Sequence, residues 1–230
     1  MIKPFPFIDA HCHLDMCKGE IGEIIKRAEA KEVKIIITQG VNPLANRKAL
    51  ELAKRYPAVK VALGLYPIDA LSLSDREIDA EFKFIKENQK KIIAIGEVGI
   101  DFKEDDKEHE RQKKIFAKII ELSKEIDKPL IVHSRNAEKE CIELLIERGV
   151  KKVIMHCFCG KFSLVNEISK QGWFMSIPTN VKSSEHFQNI IMNIPLENLF
   201  CETDSPYLHP DKLHNNEPVN VIVSCKSLAF

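Results

Sequence analysis

Short apolar runs alternate along the chain with longer stretches in which apolar residues recur every three or four positions. The runs cover 7–11, 34–38, 60–65, 92–97, 130–133, 153–156, 173–177 and 199–202. Their length and β-branched content predict buried strands. The stretches between them, among them 22–32, 44–56, 78–89, 110–126, 137–148 and 163–171, carry the spacing of helices packed on one face. Strand–helix alternation implies parallel strands joined by right-handed crossovers, and eight such units in 230 residues predict an α/β fold of the (β/α)8 TIM-barrel class. No Gly-x-Gly-x-x-Gly follows the first run, which argues against a dinucleotide-binding sheet. No linker or low-complexity tract interrupts the pattern, so one domain over 1–230 is expected.

Composition narrows the setting. Lys+Arg and Asp+Glu number 34 each, so no global field attracts polyanions and nucleic-acid binding would have to come from a local patch or a metal. Seven cysteines without a repeating framework fit a reducing cytoplasm. The opening Met1-Ile2-Lys3-Pro4-Phe5-Pro6 has no apolar stretch of leader length, and no run approaches that of a membrane helix; a soluble cytoplasmic protein with no membrane partner is expected.

The candidate chemistry sits where the strands end, the rim on which such barrels build their sites. In Ile8-Asp9-Ala10-His11-Cys12-His13-Leu14, alternate residues of a strand share a face, so His11 and His13 point the same way. The polar residues at the other strand ends are Tyr66, Glu97, His133, His156 and Asp204. Four imidazoles and two carboxylates on one rim suit two divalent ions (zinc, magnesium, manganese or nickel), with Glu97 as the natural bridge and Asp204 as ligand and orienter of a water. Glu202, two residues before Asp204, is expected deeper, bracing a ligand.

Arg135 and Lys161 follow strands of the same rim and are candidate grips on a phosphate. Strand alternation turns Cys12 and Cys157 away from the rim, toward the helices. His109, His186, His209 and His214 read as solvated. Phe158, Phe162 and Tyr207 read as core side chains, with base stacking as the alternative role.

In order along the chain, the segments Asp9-Ala10-His11-Cys12-His13-Leu14-Asp15, Gly64-Leu65-Tyr66-Pro67, Gly96-Glu97-Val98-Gly99-Ile100-Asp101, His133-Ser134-Arg135, His156-Cys157-Phe158-Cys159-Gly160, Glu202-Thr203-Asp204-Ser205-Pro206-Tyr207 and Asn216-Glu217-Pro218 resemble the TatD family of metal-dependent deoxyribonucleases, barrels of the amidohydrolase-like kind. The resemblance implies one ion on His11, His13 and Asp204, a second on His133 and His156, and Glu97 on both. It implies hydrolysis of single-stranded or frayed DNA ends, 3′ to 5′. The nearest alternatives are an ester hydrolase acting on aminoacyl-tRNA and a small-molecule amidohydrolase; a non-enzymatic nucleic-acid-binding barrel is a more distant one. Two departures bear on substrate: Tyr66 stands where the family usually has a histidine associated with the substrate phosphate, and the loop 210–215 lacks the usual Arg-Gly before Asn-Glu-Pro.

Overall fold

A computed structural model describes residues 6–229, so the opening segment read for a leader lies, apart from Pro6, outside the described residues. Eight strands follow one another in a single sheet in the order of the chain. They are β1 (Phe7–Cys12), β2 (Val33–Gln39), β3 (Val59–Leu63), β4 (Ala94–Gly99), β5 (Leu130–His133), β6 (Val153–Met155), β7 (Phe174–Ile177) and β8 (Leu199–Cys201). The helices between them are α1 (Ile21–Glu29), α2 (Pro43–Arg55), α3 (Pro67–Leu71), α4 (Asp75–Glu87), α5 (His109–Glu125), α6 (Glu138–Glu147), α7 (Phe162–Lys170) and α8 (Glu185–Asn193), with α9 (Val221–Leu228) after the last strand. Parallel pairing and strictly sequential order are those of the (β/α)8 class.

Every predicted strand and helix is present, and the boundaries differ for local reasons. The helix expected over 78–89 begins at Asp75, because Ser74 and Glu77 form a reciprocal capping box: Ser74 Oγ accepts from the Glu77 N–H and Glu77 Oε2 accepts from the Ser74 N–H at 2.8 Å. The fourth strand runs to Gly99 rather than ending at Glu97, and all six of its residues are buried, as in a sheet covered on both faces. Three further helices are present: α3, five residues long and started by Pro67 at its first turn, α8 and α9.

The segments fall into two compact units. One takes in the described residues up to 38, 51–60 and those from 176 onward, and its core gathers Cys12, Leu14, Ile24, Ile25, Ala28, Ile36, Val59 and Val221 from β1, α1, β2, β3 and α9. The other comprises 39–50 and 61–175, where β4, β5 and β6 pair in parallel with Ile95, Leu130, Val132 and Met155 fully buried and α5 contributes Phe116, Ile119 and Ile120. Among the described residues no helix is long and apolar enough to cross a membrane.

Candidate metal centre

The first unit builds a donor cluster from β1 and the turn after β8. Between the pairs Asp9↔Ile36 and Cys12↔Thr38, β1 uses three residues where β2 uses two, an irregularity that re-aims the side chains around His11. His13 N–H then donates to Ser205 O at 2.7 Å and Asp204 N–H to His11 O at 2.9 Å, which ties the turn to the strand end. Nε2 of His11 lies 3.2 Å from Nε2 of His13, and Oδ1 of Asp204 lies 3.6 Å from each. Both imidazoles are buried. Ligand atoms bound to a shared ion at about 2.0–2.1 Å and tetrahedral angles stand about 3.3–3.4 Å apart, so the three atoms fit a divalent metal.

Two buried side chains hold this turn. Asp9 accepts from the Thr203 N–H at 2.8 Å and from the Thr203 hydroxyl at 2.6 Å, while its complete burial pushes its carboxyl well above the ordinary range. The Asn216 amide donates to the carbonyls of Thr203 and Tyr207, both at 2.8 Å, and to Thr179 Oγ1 at 3.0 Å. Glu217 pairs with Arg27 through two bonds of 2.8 and 2.9 Å. Asp204 itself takes φ +54°, a left-handed conformation that Asp tolerates better than most residues. Glu202 is fully buried, deeper than the partly exposed Asp204.

The second unit builds its cluster from β4, β5 and the residue after β6. Between Ile95↔Leu130 and Val98↔Val132 the register again slips by one residue, at Gly96-Glu97. Close backbone approach around Glu97 depends on glycine: a Cβ on Gly99, at φ +141°, would stand 1.9 Å from the His133 carbonyl oxygen, and one on Gly64 would stand 2.5 Å from that of Glu97. Oε1 of Glu97 lies 3.0 Å from Nδ1 of His133 and 3.8 Å from Nε2 of His156. One donor atom from each of Glu97, His133 and His156 can be chosen so that all three lie within 4.8 Å of one another, again a set fit for a divalent ion.

Beside it stands a residue to which sequence reasoning gave no role. Asp101 is fully buried just beyond β4. Its Oδ2 is 2.8 Å from His133 Nε2 and accepts from the Tyr66 hydroxyl at 2.7 Å and from Arg135 Nε at 2.9 Å, while Oδ1 accepts the N–H groups of Lys103 and Glu104. Burial, the largest influence, acts upward on this carboxyl, but the bonds from His133, Arg135 and Tyr66 outweigh it and hold the group well below the usual carboxylate range. Burial likewise acts downward on His133, yet its bonds to Asp101 and Glu97 leave its pKa raised. Burial and donation to Asp101 raise that of Tyr66. Gln112 of α5 fixes the backbone of Asp101 by bonds at 2.8 and 3.0 Å.

The structure thus brings His11, His13 and Asp204 together, and Glu97, His133 and His156 together. Tyr66 and Arg135 meet on Asp101, and Arg135 also pairs with Glu104. Lys161, exposed immediately before α7, joins neither group among the described residues. Cys12 is buried in the core and points its sulfur at the Ile37 carbonyl, as strand alternation required. Two readings change. His109 is not simply solvated: its ring stacks on Phe102 with centroids 3.6 Å apart. Of the three aromatics read as core, Phe158 is buried and Phe162 half-buried, but Tyr207 is 54% exposed because it lies on the turn beyond Asp204 rather than in an element.

The family model for TatD-related DNases matches residues 8–229. The chain belongs to the TatD family. It is 37% identical over 230 residues to an uncharacterized metal-dependent hydrolase of Methanocaldococcus jannaschii, with 99% of this chain and 90% of that protein covered. It is 31% identical over 235 residues to human deoxyribonuclease TATDN3, covering 96% of this chain and 86% of that one. Among solved structures, the TatD homolog YJJV of Escherichia coli superposes with a TM-score of 0.87 at 26% identity over 96% of this chain and 90% of that chain. The TatD chain described here is a metal-dependent hydrolase with the barrel fold of its relatives.

Proposed function

We propose that this TatD-family hydrolase is a deoxyribonuclease that releases nucleotides from the 3′ ends of single-stranded or frayed DNA, with His11, His13 and Asp204 holding one divalent ion and Glu97, His133 and His156 holding another. The observation that carries the reading is the triangle of His11 Nε2, His13 Nε2 and Asp204 Oδ1, with edges of 3.2, 3.6 and 3.6 Å. When bound, the ions lower the pKa of a coordinated water and offset negative charge on the phosphate.

The chain's own residues do the remainder. Asp204, partly exposed while the imidazoles are buried, can use a carboxylate oxygen to take the proton of the attacking water, because it is the acidic member of the cluster that solvent reaches. His11 and His13 are fixed by the backbone bonds of β1 and the turn, so little reorganisation is needed when phosphate enters. Arg135, exposed but tied to Asp101 and Glu104, presents positive charge beside the second cluster, and Lys161 adds an exposed one on the same unit.

A substrate panel tests the reading. A labelled single-stranded oligonucleotide, a D-aminoacyl-tRNA and a phosphotriester are each incubated with and without EDTA. Chelator-sensitive shortening of the oligonucleotide from its 3′ end is expected; release of the amino acid alone would assign the same site to an acyl ester, and turnover of the triester alone would assign it to small-molecule hydrolysis.

A further inference from the structure

Tyr207 is a large aromatic side chain placed against a metal-ligand candidate and left open to solvent. Its ring meets the ring of His13 edge to face, with centroids 6.2 Å apart and planes at 72°. More than half of it, 54%, is exposed, although every other residue from Glu202 to Ser205 on the same turn is buried or half-buried. An exposed aromatic is ordinarily mobile, and this one is anchored. Its N–H donates to Asp204 O at 2.8 Å, its carbonyl accepts from the buried Asn216 amide at 2.8 Å, its ring rests against that of His13, and its hydroxyl lies 3.7 Å from Met16 Sδ.

We propose that Tyr207 is a stacking platform for a nucleobase of the DNA strand, the base next to the phosphate held at the His11–His13–Asp204 cluster. Every base has a π-face, so a single anchored ring grips a strand end without reading its sequence. That matches a chain with equal numbers of acidic and basic residues, 34 of each, in which no global field supplies the affinity. Phe158, completely buried, cannot serve in this way. The inference rests on the deoxyribonuclease reading.

The experiment compares two labelled single-stranded oligonucleotides, identical except that one is abasic at its 3′-terminal nucleotide, with wild type, Tyr207→Leu and Tyr207→Phe, each loaded with manganese and checked for metal content. Wild type and Tyr207→Phe are expected to show a KM about tenfold to a hundredfold higher for the abasic strand, and Tyr207→Leu to show a high KM for both with no preference. A preference that persists in Tyr207→Leu overturns the platform while leaving the nuclease reading intact. So does a Tyr207→Leu protein that loses manganese, because Tyr207 would then be positioning His13. If wild type hydrolyses bis(4-nitrophenyl) phosphate but neither oligonucleotide, the nuclease reading fails and the platform with it.

Discussion

His133 Nε2 lies 2.8 Å from Asp101 Oδ2 while its Nδ1 faces Glu97 at 3.0 Å. An ionised carboxylate can only accept, so Nε2 carries a ring proton for Asp101, and Nδ1, once it gives up the proton it shares with Glu97, is the nitrogen whose lone pair can turn to a metal. A carboxylate bonded to the far nitrogen of a ligand histidine fixes its tautomer and raises its basicity. Asp101→Asn is therefore expected to fold but to bind metal at the Glu97–His133–His156 cluster about 10–100-fold more weakly, read by competition against a fluorescent chelator. Unchanged affinity would reduce Asp101 to a packing residue.

The hydroxyl of Tyr66 donates to Asp101, and Arg135 Nη2 stands 3.4 Å from its oxygen. Its proton is thus committed to the protein rather than presented to a phosphate. Tyr66→Phe removes one bond to a charged group, worth about 1.5–3 kcal/mol, and the loss should fall on the same metal affinity. With metal saturating, KM for DNA is expected to stay near that of wild type. A raised KM at full metal occupancy would restore Tyr66 as a substrate contact.

Much of this was readable in the sequence, for a definable reason. Eight apolar runs separated by helical spacing leave few alternatives to a sequential parallel sheet, and the polar residue that closes each run falls at a strand end. His11, His13, Glu97, His133 and Asp204 each lie in or just past a strand, so local periodicity located them. Asp101 escaped because its importance comes from Tyr66, His133 and Arg135, which are 32 to 35 positions away in the chain. Tyr207 looks like core in the sequence because an aromatic residue alone does not tell a turn from an element. His109 was read as solvated because its charged neighbours hide the stack on Phe102.

Asn216 donates to three acceptors around the turn that carries Asp204. Asn216→Ala leaves buried oxygens of Thr203 and Thr179 without that partner, at an expected cost of about 1–3 kcal/mol per unsatisfied group. For a chain of this size each kcal/mol lowers Tm by about 2–4 °C, so calorimetry should find a drop of several degrees. A Tm unchanged within a degree would show that the turn does not depend on the amide.

The charge balance sets a salt dependence. If the chain is a deoxyribonuclease as proposed, its 34 basic and 34 acidic residues call for local DNA contacts, and log affinity for a single strand should fall with log salt at a slope corresponding to about one to three phosphates. Fluorescence anisotropy with the catalytically impaired Asp204→Asn protein gives this slope. A steeper one would reveal an extended basic groove.

The most direct test of the catalytic account is the turnover number of Asp204→Asn on labelled single-stranded DNA, at metal content matched to wild type. The neutral amide can still occupy the turn beside His11 and His13, at the 3.6 Å spacing of the carboxylate it replaces, but it cannot accept a proton. A fall of about 10²–10⁴ in kcat is expected. Hydrolysis near the wild-type rate would contradict the assignment of Asp204 and, with it, of the cluster as the catalytic centre.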